Sequence, residues 1–230
     1  MILNFKKENN LFKLWKTKKN LILIIIHHIV LASAIVYYGF DIWVALAILF
    51  LSMMWSKVVG SDIMHFYFAH SRYKDSLKSY FYTFLTLFSG LGSPLSYAVT
   101  HRQHHKYVDT AEDPHSPEII GWKRVYFLDW KPQRISPRLI EDFSRSKFQK
   151  VIHRHYFKIH VTLLALFLAI DPRIVCFLLS PFIIYSFHNA GAVNVLGHLG
   201  GESKNVPLLR VINWWRGWDH GDHHNYKFTK

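Results

Sequence analysis

Residues 21–40 read LILIIIHHIVLASAIVYYGF, an apolar run that contains no charged side chain. A helix rises about 1.5 Å per residue, so this run is long enough to span a hydrocarbon core of about 30 Å. A second run, Ile42 to Trp55, follows after the single acidic residue Asp41, which leaves room only for a tight turn. We expect the second helix to continue past Lys57 towards His65. The two runs therefore predict a membrane hairpin.

A second pair of apolar runs, Ile159 to Ile170 and Ile174 to Phe187, lies far downstream and is joined by a short turn at Asp171-Pro172-Arg173. Both runs are shorter than a standard span, so we expect them to use flanking residues or a thinner bilayer. The four predicted spans are residues 21–40, 42–59, 157–170 and 173–190.

The charge balance is strongly basic, with 28 Lys and Arg against 15 Asp and Glu and a formal net charge of +13. Taken alone, this balance indicates nucleic acid, a membrane surface or a polyanionic substrate as the partner. Most of the basic residues, however, lie before the first run, between the two hairpins and after the last run, whereas Arg173 lies in the turn on the opposite side. The positive-inside rule then predicts that residues 1–20, 65–156 and 191–230 are cytoplasmic, beside anionic headgroups. No nucleic-acid partner is expected.

The chain of 230 residues is long enough for one membrane domain, residues 1–230, without a second catalytic module. Its single cysteine, Cys176, excludes intramolecular disulfides and thiolate metal cages. The predicted fold is an all-α integral membrane protein with four transmembrane helices in two hairpins. A cytoplasmic helical cap would hold the functional site.

Sixteen histidines are the other unusual feature, and nine of them fall into four short motifs. The motifs are HFYFAH with His65 and His70, HRQHH with His101, His104 and His105, NVLGH with Asn194 and His198, and HGDHH with His220, His223 and His224. Under the predicted topology all four motifs lie on one side of the membrane, close to its surface. This convergence predicts a shared site.

The spacing of the motifs is typical of metal ligands. Positions i, i+3 and i+4 share one face of a helix, so each H-x-x-H-H can direct three imidazoles at one point. His65 and His70 diverge by about 140° on an ideal helix, so they either clasp one site from two sides or reach separate metals. Nine imidazoles exceed the capacity of one ion and predict two. Imidazole suits Zn, Cu, Fe and Ni, and the H-E-x-x-H motif of zinc proteases is absent.

The remaining seven histidines are not predicted to be ligands: His27, His28, His115, His153, His155, His160 and His188. His27 and His28 lie inside the first span, where we expect them to hydrogen-bond neighbouring helices or to line the interior of the bundle. His153, His155 and His160 are expected to form a basic flank that faces lipid headgroups.

The four motifs, in order and spacing, resemble those of the membrane fatty-acid desaturases, in particular the acyl-CoA (stearoyl-CoA-type) branch. HFYFAHSRYK is similar to the first histidine box, HRQHHKYVDTAEDPHS to the second with its D…DPHS continuation, NVLGHLGG to an extra asparagine–histidine element, and GWDHGDHH to the third box. The resemblance extends from the first apolar run to the last box.

The resemblance implies four transmembrane helices, a cytoplasmic cap and a di-iron centre that uses O₂ as co-substrate. It implies that the nine boxed histidines are the iron ligands and that Asn194 binds through a bridging water. The implied reaction is the oxygen-dependent removal of two hydrogens from an acyl chain to form a cis double bond. The chain contains no electron-carrier domain, so a separate carrier protein is expected.

Three features depart from the family pattern. Phe66 stands where the family often has arginine, and the third box follows Arg216-Gly217-Trp218-Asp219 instead of G-E-G-W. The sequence also ends six positions after His224, which we expect to expose the site or to change its substrate.

Residues around the boxes are candidates for supporting roles. Asp109, Asp113, Asp219 and Asp222 are predicted to orient the imidazoles. Arg102, Lys106, Lys123 and Arg124 are candidates for binding a phosphate-bearing head such as CoA, with lipid headgroups as the alternative ligand. The acyl substrate is carried by CoA or by an intact lipid.

Two other functions remain open at the level of sequence. One is a fatty-acid, sterol or carotenoid hydroxylase of the same di-iron membrane superfamily, although such enzymes usually carry H-x-x-x-H as the first box. The other is a non-catalytic metal-handling membrane protein, which would place ligands at mid-membrane, where only His27 and His28 lie.

Overall fold

The computed structural model describes residues 17–130, 136–212 and 220–224, and within these residues the chain is helical, without β-strands. The helices are α1 Thr17–Tyr38, α2 Ile42–Ala69, α3 Leu77–Thr86, α4 Pro94–Tyr107, α5 Pro117–Ile120, α6 Trp122–Tyr126, α7 Pro137–Ser144, α8 Lys147–Ile170, α9 Pro172–Leu196, α10 Pro207–Ile212 and α11 His220–His223.

Three helices of the described chain are long and apolar enough to cross a membrane: Asn20–Tyr38, Ile42–Ala69 and Pro172–Leu196. Large apolar side chains cover their outer faces, as at Val36, which is 88% exposed. Such apolar exposure is expected where lipid replaces water. The predicted span 157–170 falls in α8, which does not meet the same criterion. The four-span, two-hairpin topology therefore stays a prediction.

Two aspartates begin the helices that follow the short predicted turns. Asp41 accepts a hydrogen bond from the backbone N–H of Val44, and Asp171 accepts one from that of Arg173. Each carboxylate thereby satisfies a backbone donor that the first helical turn leaves without a partner. Gly39, with φ of +82°, reverses the chain just before Asp41.

The second half of α2 is wound more loosely than an α-helix. Residues Ser56–Ala69 form a π-helix, in which backbone hydrogen bonds join residues five apart, and the bond from His70 N–H to His65 O continues this pattern. Such winding is rare and is frequently found at functional sites. It brings residues five positions apart onto nearly the same face of the helix.

Histidine side chains join α1 to α8 and α9. His27 lies 2.9 Å from Ser180 Oγ through Nδ1 and 2.9 Å from His160 Nε2 through its own Nε2. His28 Nε2 lies 3.2 Å from His188 Nε2. The expected inter-helix bonds of His27 and His28 are thus present in the structure.

The prediction of a headgroup-facing flank on α8 is wrong for two of its three histidines. His160 is buried against His27 and Leu87 O, and His153 is buried 2.8 Å from Ser93 Oγ at the start of α4. Both side chains lie on the face of α8 that packs against the protein. Only His155 is exposed.

Helix α6 lies directly against α9 at Gly191. A Cβ atom at Gly191 would collide with the carbonyl oxygen of Tyr126, so this contact requires glycine. The Tyr126 hydroxyl also lies 2.9 Å from His188 Nδ1, one turn before Gly191. The close approach fixes the position of the segment that follows the second histidine box.

We expect Gly191→Ala to lower the free energy of unfolding by about 1 to 3 kcal/mol, because the added methyl group must displace backbone. The measurement is thermal unfolding of the purified protein in detergent. Gly60→Ala is the matched control, because a Cβ there meets its nearest neighbours at an ordinary 3.6 Å. Equal melting temperatures for the two variants would contradict this packing.

Candidate metal centre

All nine boxed histidines converge on one region, where they form two groups. The first contains His65, His70, His101, His105 and His223, and the second contains His104, His198, His220 and His224. In each group one nitrogen from every ring lies within 4.8 Å of those of the others. The second and third boxes each contribute to both groups, so the two groups adjoin.

In the five-histidine group the Nε2 atoms approach one another in pairs. His65 and His105 each lie 2.9 Å from His223, and the distance between His70 and His101 is 3.0 Å. The loose winding of α2 explains why His65 and His70 lie together. With five residues to each hydrogen-bonded turn, their ring centroids are only 4.7 Å apart.

In the four-histidine group His198 is central. Its Nε2 lies 3.0 Å from that of His104 and 2.7 Å from that of His220. His224 Nε2 completes the group at 3.2 Å from His220 Nε2. Helix α4, the residues after α9 and helix α11 thus meet at one point.

These distances fit a shared metal ion in each group. Two nitrogens bound at right angles to one ion at about 2.1 Å would lie about 3.0 Å apart. A neutral imidazole carries only one N–H, so hydrogen bonds among the rings cannot satisfy every inward-facing Nε2. A cation accepts a lone pair from each ring, and the donor set therefore fits two ions.

Burial keeps these histidines in the form that binds metal. Burial, reinforced by neighbouring imidazoles, lowers the pKa of His223 and His224 to about 3 and holds that of His104 well below its usual range. Burial and the Arg102 guanidinium lower the pKa of His70 to about 4. At neutral pH these rings are uncharged, and a neutral ring binds a cation without first losing a proton.

Two of the four predicted supporting aspartates bond the Nδ1 atoms of histidines in the second group, on the side of each ring that faces away from the other ligands. Asp113 lies 2.8 Å from His104 Nδ1, and Asp109 lies 3.1 Å from His198 Nδ1. A carboxylate that accepts a hydrogen bond from Nδ1–H leaves Nε2 with its lone pair directed at the site. Asp222 instead accepts a hydrogen bond from Asn205, and Asp219 lies outside the described residues.

Asp113 is itself enclosed in the loop 109–116. Burial raises its pKa to about 7, and the backbone N–H groups of His115 and Asp109 oppose that rise by donating to its carboxylate. The loop thus folds around the carboxylate that orients His104.

Arg102 has a structural role, which corrects its prediction as a headgroup ligand. Its guanidinium is buried and forms a two-pronged ion pair with Asp142. It also donates to four backbone carbonyls, those of Phe68, Ala69, Ser71 and Leu139. Three of these lie at the end of α2, where helix carbonyls lack partners. Arg102 therefore joins the first histidine box to the second.

The other three predicted headgroup ligands lie on the surface. Lys106 and Lys123 are exposed over the rings of Tyr107 and Trp122, and Arg124 pairs with Asp129. Their role as headgroup ligands stays a prediction.

A cavity of about 70 Å³ opens against both histidine groups. Asn194 lines it together with histidines of both groups and, deeper between the two spans α2 and α9, with Ser56 and Ser186. Asn189 crosses its wall and donates to Ser56 Oγ at 2.9 Å. The cavity therefore connects the histidines with the part of the protein that lies in the membrane.

Sequence reasoning missed two residues of this region. Asp142 follows the second box by 37 positions and has no motif around it, so only the fold reveals its pairing with Arg102. His115 was excluded as a ligand, yet it lies with His104 and Asp113 in a third group whose ligand atoms are within 4.8 Å. Its place in the D…DPHS continuation was the available signal.

Known proteins with similar sequences are desaturases, although no family model matches the chain. Icosanoyl-CoA 5-desaturase of Limnanthes douglasii is 25% identical over 91% of this chain and 63% of its own length. The acyl-CoA C20 Δ5-desaturase of Anemone leveillei is 28% identical over 65% of the chain and 52% of its own length. The sn-1 stearoyl-lipid 9-desaturase of Synechocystis sp. is 27% identical over 60% of the chain and 47% of its own length.

The chain spans about half to two thirds of the length of these relatives. The relatives act on both CoA-linked and lipid-linked acyl chains, as their names state. Together with the three long apolar helices, the similarity identifies an integral membrane protein. The histidine groups identify it as metal-binding.

We expect Asp113→Asn to weaken metal binding by about 10- to 100-fold, because the carboxylate that orients His104 is lost. The measurement is metal content per chain after dialysis against a graded chelator. Asp222→Asn is the matched control, since this carboxylate adjoins His223 in sequence but bonds Asn205. Equal metal loss in both variants would contradict the assignment.

We expect Arg102→Gln to lower the free energy of unfolding by about 3 to 5 kcal/mol, because it leaves Asp142 buried without its charged partner. Thermal unfolding in detergent measures the loss. Arg124→Gln, which breaks the half-exposed pair with Asp129, should change stability by less than about 1 kcal/mol. An Arg102→Gln protein as stable as the wild type would contradict this structural role.

Proposed function

We propose that the chain is an oxygen-dependent fatty-acyl desaturase with a di-iron centre, of the membrane fatty-acid desaturase family that its relatives represent. The reaction would introduce a cis double bond into a saturated acyl chain, most simply an acyl-CoA. The single observation that supports it best is the convergence of nine neutral imidazoles into two adjoining groups beside a cavity that extends between membrane helices.

The choice of iron rests on the resemblance to the desaturases and agrees with the chemistry of the substrate. An unactivated methylene has no acidic proton and no leaving group, so acid–base and nucleophilic catalysis have no point of attack. Iron with O₂ supplies an oxidant strong enough to remove hydrogen from such a carbon. Among the metals that imidazole binds, zinc has no redox chemistry. Iron and O₂ are therefore part of the proposal.

The protein's own residues would supply ligands and geometry. The nine histidines would hold the two ions, and Asn194 would contribute through a bridging water. Asp109 and Asp113 accept hydrogen bonds from the Nδ1–H groups of His198 and His104, which keeps each Nε2 free to bind. The cavity between α2 and α9 would receive the acyl chain, exclude water and determine which carbons approach the histidines.

Electrons and the polar end of the substrate come from outside the membrane domain. Each turnover removes two hydrogens from the acyl chain and reduces O₂ to two waters, which requires two further electrons and two protons. We propose that a separate electron-carrier protein supplies these electrons. The exposed Lys106 and Lys123, with Arg124, would contact a phosphate-bearing head. The four-span topology, with both termini and the boxes in the cytoplasm, completes the proposal.

The test is a mass-spectrometric fatty-acid profile of a host that lacks its own desaturase and expresses this chain. We expect new cis-unsaturated chains that disappear in His104→Ala, because this ring belongs to the second histidine group. His155→Ala is the matched control, since that exposed histidine contacts neither group. The double-bond position is read from the same spectra.

Two other outcomes would contradict the proposed desaturase activity. Hydroxylated chains would identify a hydroxylase of the same superfamily. Purified protein that binds no iron, or that binds two irons and leaves both acyl-CoA and acyl-lipid unchanged with an electron donor present, would exclude desaturation.

A further inference from the structure

His115 forms part of a stack of three rings beside the second histidine group. Its imidazole is fully buried, with its centroid 3.8 Å from that of His104 at an interplanar angle of 32°. On its other side lies Trp130, at 4.4 Å and 30°. The indole of Trp130 is held in turn by a hydrogen bond from Nε1 to Val125 O. His104 is therefore supported on one face by a fixed wall.

The ring nitrogens of His115 make no hydrogen bond to any residue that the structure describes. A metal ion shared with His104 and Asp113 is one explanation, since their ligand atoms lie within 4.8 Å. The stacking argues against it. Ring nitrogens direct their lone pairs within the ring plane, and two rings packed face to face, with planes inclined by 32°, direct them side by side more than towards a common point. The Nδ1 of His104 is also already engaged by Asp113.

The hydrogen bond from His104 Nδ1 to Asp113 leaves one motion of the ring unrestricted. It fixes the position of Nδ1, but the ring can still tilt about that point and move Nε2 out of line with the second group. A ligand atom must be held within about 0.5 Å and 10–20° of its productive geometry. A flat ring pressed against the face of His104 prevents the tilt.

We propose that His115 is a positioning residue that fixes the ring plane of His104 by stacking and binds no metal through its own nitrogens. This inference rests on the proposed metal centre. The loop 109–116 would then orient the second group in two ways, with Asp113 acting in the plane of His104 and His115 acting on its face.

The test compares two substitutions of the same residue. His115→Phe keeps a flat ring and removes both nitrogens, whereas His115→Leu keeps a similar volume without a flat ring. We expect His115→Phe to retain two irons per chain. We expect His115→Leu to bind one of the two irons about 10- to 100-fold more weakly, as other supporting residues of metal ligands do. Iron per chain after dialysis against a graded chelator measures the effect.

A second readout identifies which iron changes. ⁵⁷Fe Mössbauer spectra of the reduced protein should show altered parameters for one iron in His115→Leu and wild-type parameters for both in His115→Phe. His153→Leu is the matched control, because this buried histidine bonds Ser93 away from both groups. Circular dichroism confirms that each variant is folded, and His115→Met replaces His115→Leu if that variant is not.

Each outcome is decisive. If His115→Phe loses as much iron as His115→Leu, the nitrogens act as ligands and the proposal is overturned. If both variants keep two irons with unchanged spectra, His115 has no positioning role. A wild-type protein that binds two irons but forms no double bond would overturn the proposed function and leave the comparison at His115 intact.

Discussion

A single buried guanidinium holds the loosely wound end of α2 against the helix that carries the second histidine box. Arg102 donates to three carbonyls at the end of α2, to one on α7 and to both oxygens of Asp142. The carbonyls would otherwise be buried without partners, and the charge would otherwise be buried without compensation. The relative position of the first two histidine boxes depends on this one side chain.

The histidine groups in turn depend on residues that lie outside them. Hydrogen bonds among nine uncharged rings cannot fix the orientation of every ring, because each neutral imidazole carries only one N–H donor. In the second group the orientation comes from the loop 109–116, whose carboxylates accept hydrogen bonds from the Nδ1–H groups of His104 and His198. Burial keeps the rings neutral. The ligand set and its supporting loop thus form one structural unit.

The membrane helices and the histidine groups meet at the cavity between α2 and α9. The same helix that is apolar enough to span the membrane at Ile42–Ala69 ends in His65 and the start of the first box. The cavity reaches from the histidines to Ser56 and Ser186, within the two spans. An apolar substrate that enters from the bilayer would reach the metal-binding groups without crossing water, which agrees with the proposed chemistry.

The sequence by itself determined the elements whose signals are local. Apolar length predicted helices at residues 21–40 and 42–59, and histidine spacing predicted the nine residues that the structure brings together, because both patterns depend on neighbours along the chain.

The sequence could not assign those residues to groups of five and four, since the assignment depends on packing between distant helices. With α-helical winding it predicted that His65 and His70 diverge by about 140° and left open whether they share a site, whereas the π-helical winding of α2 brings the two rings together. Only the tertiary structure decided that Arg102 joins α4 to the end of α2 and to α7, and that His115 packs on His104. Both roles depend on contacts with partners 40 and 11 positions away, at Asp142 and His104, and the packing of the chain decides those contacts.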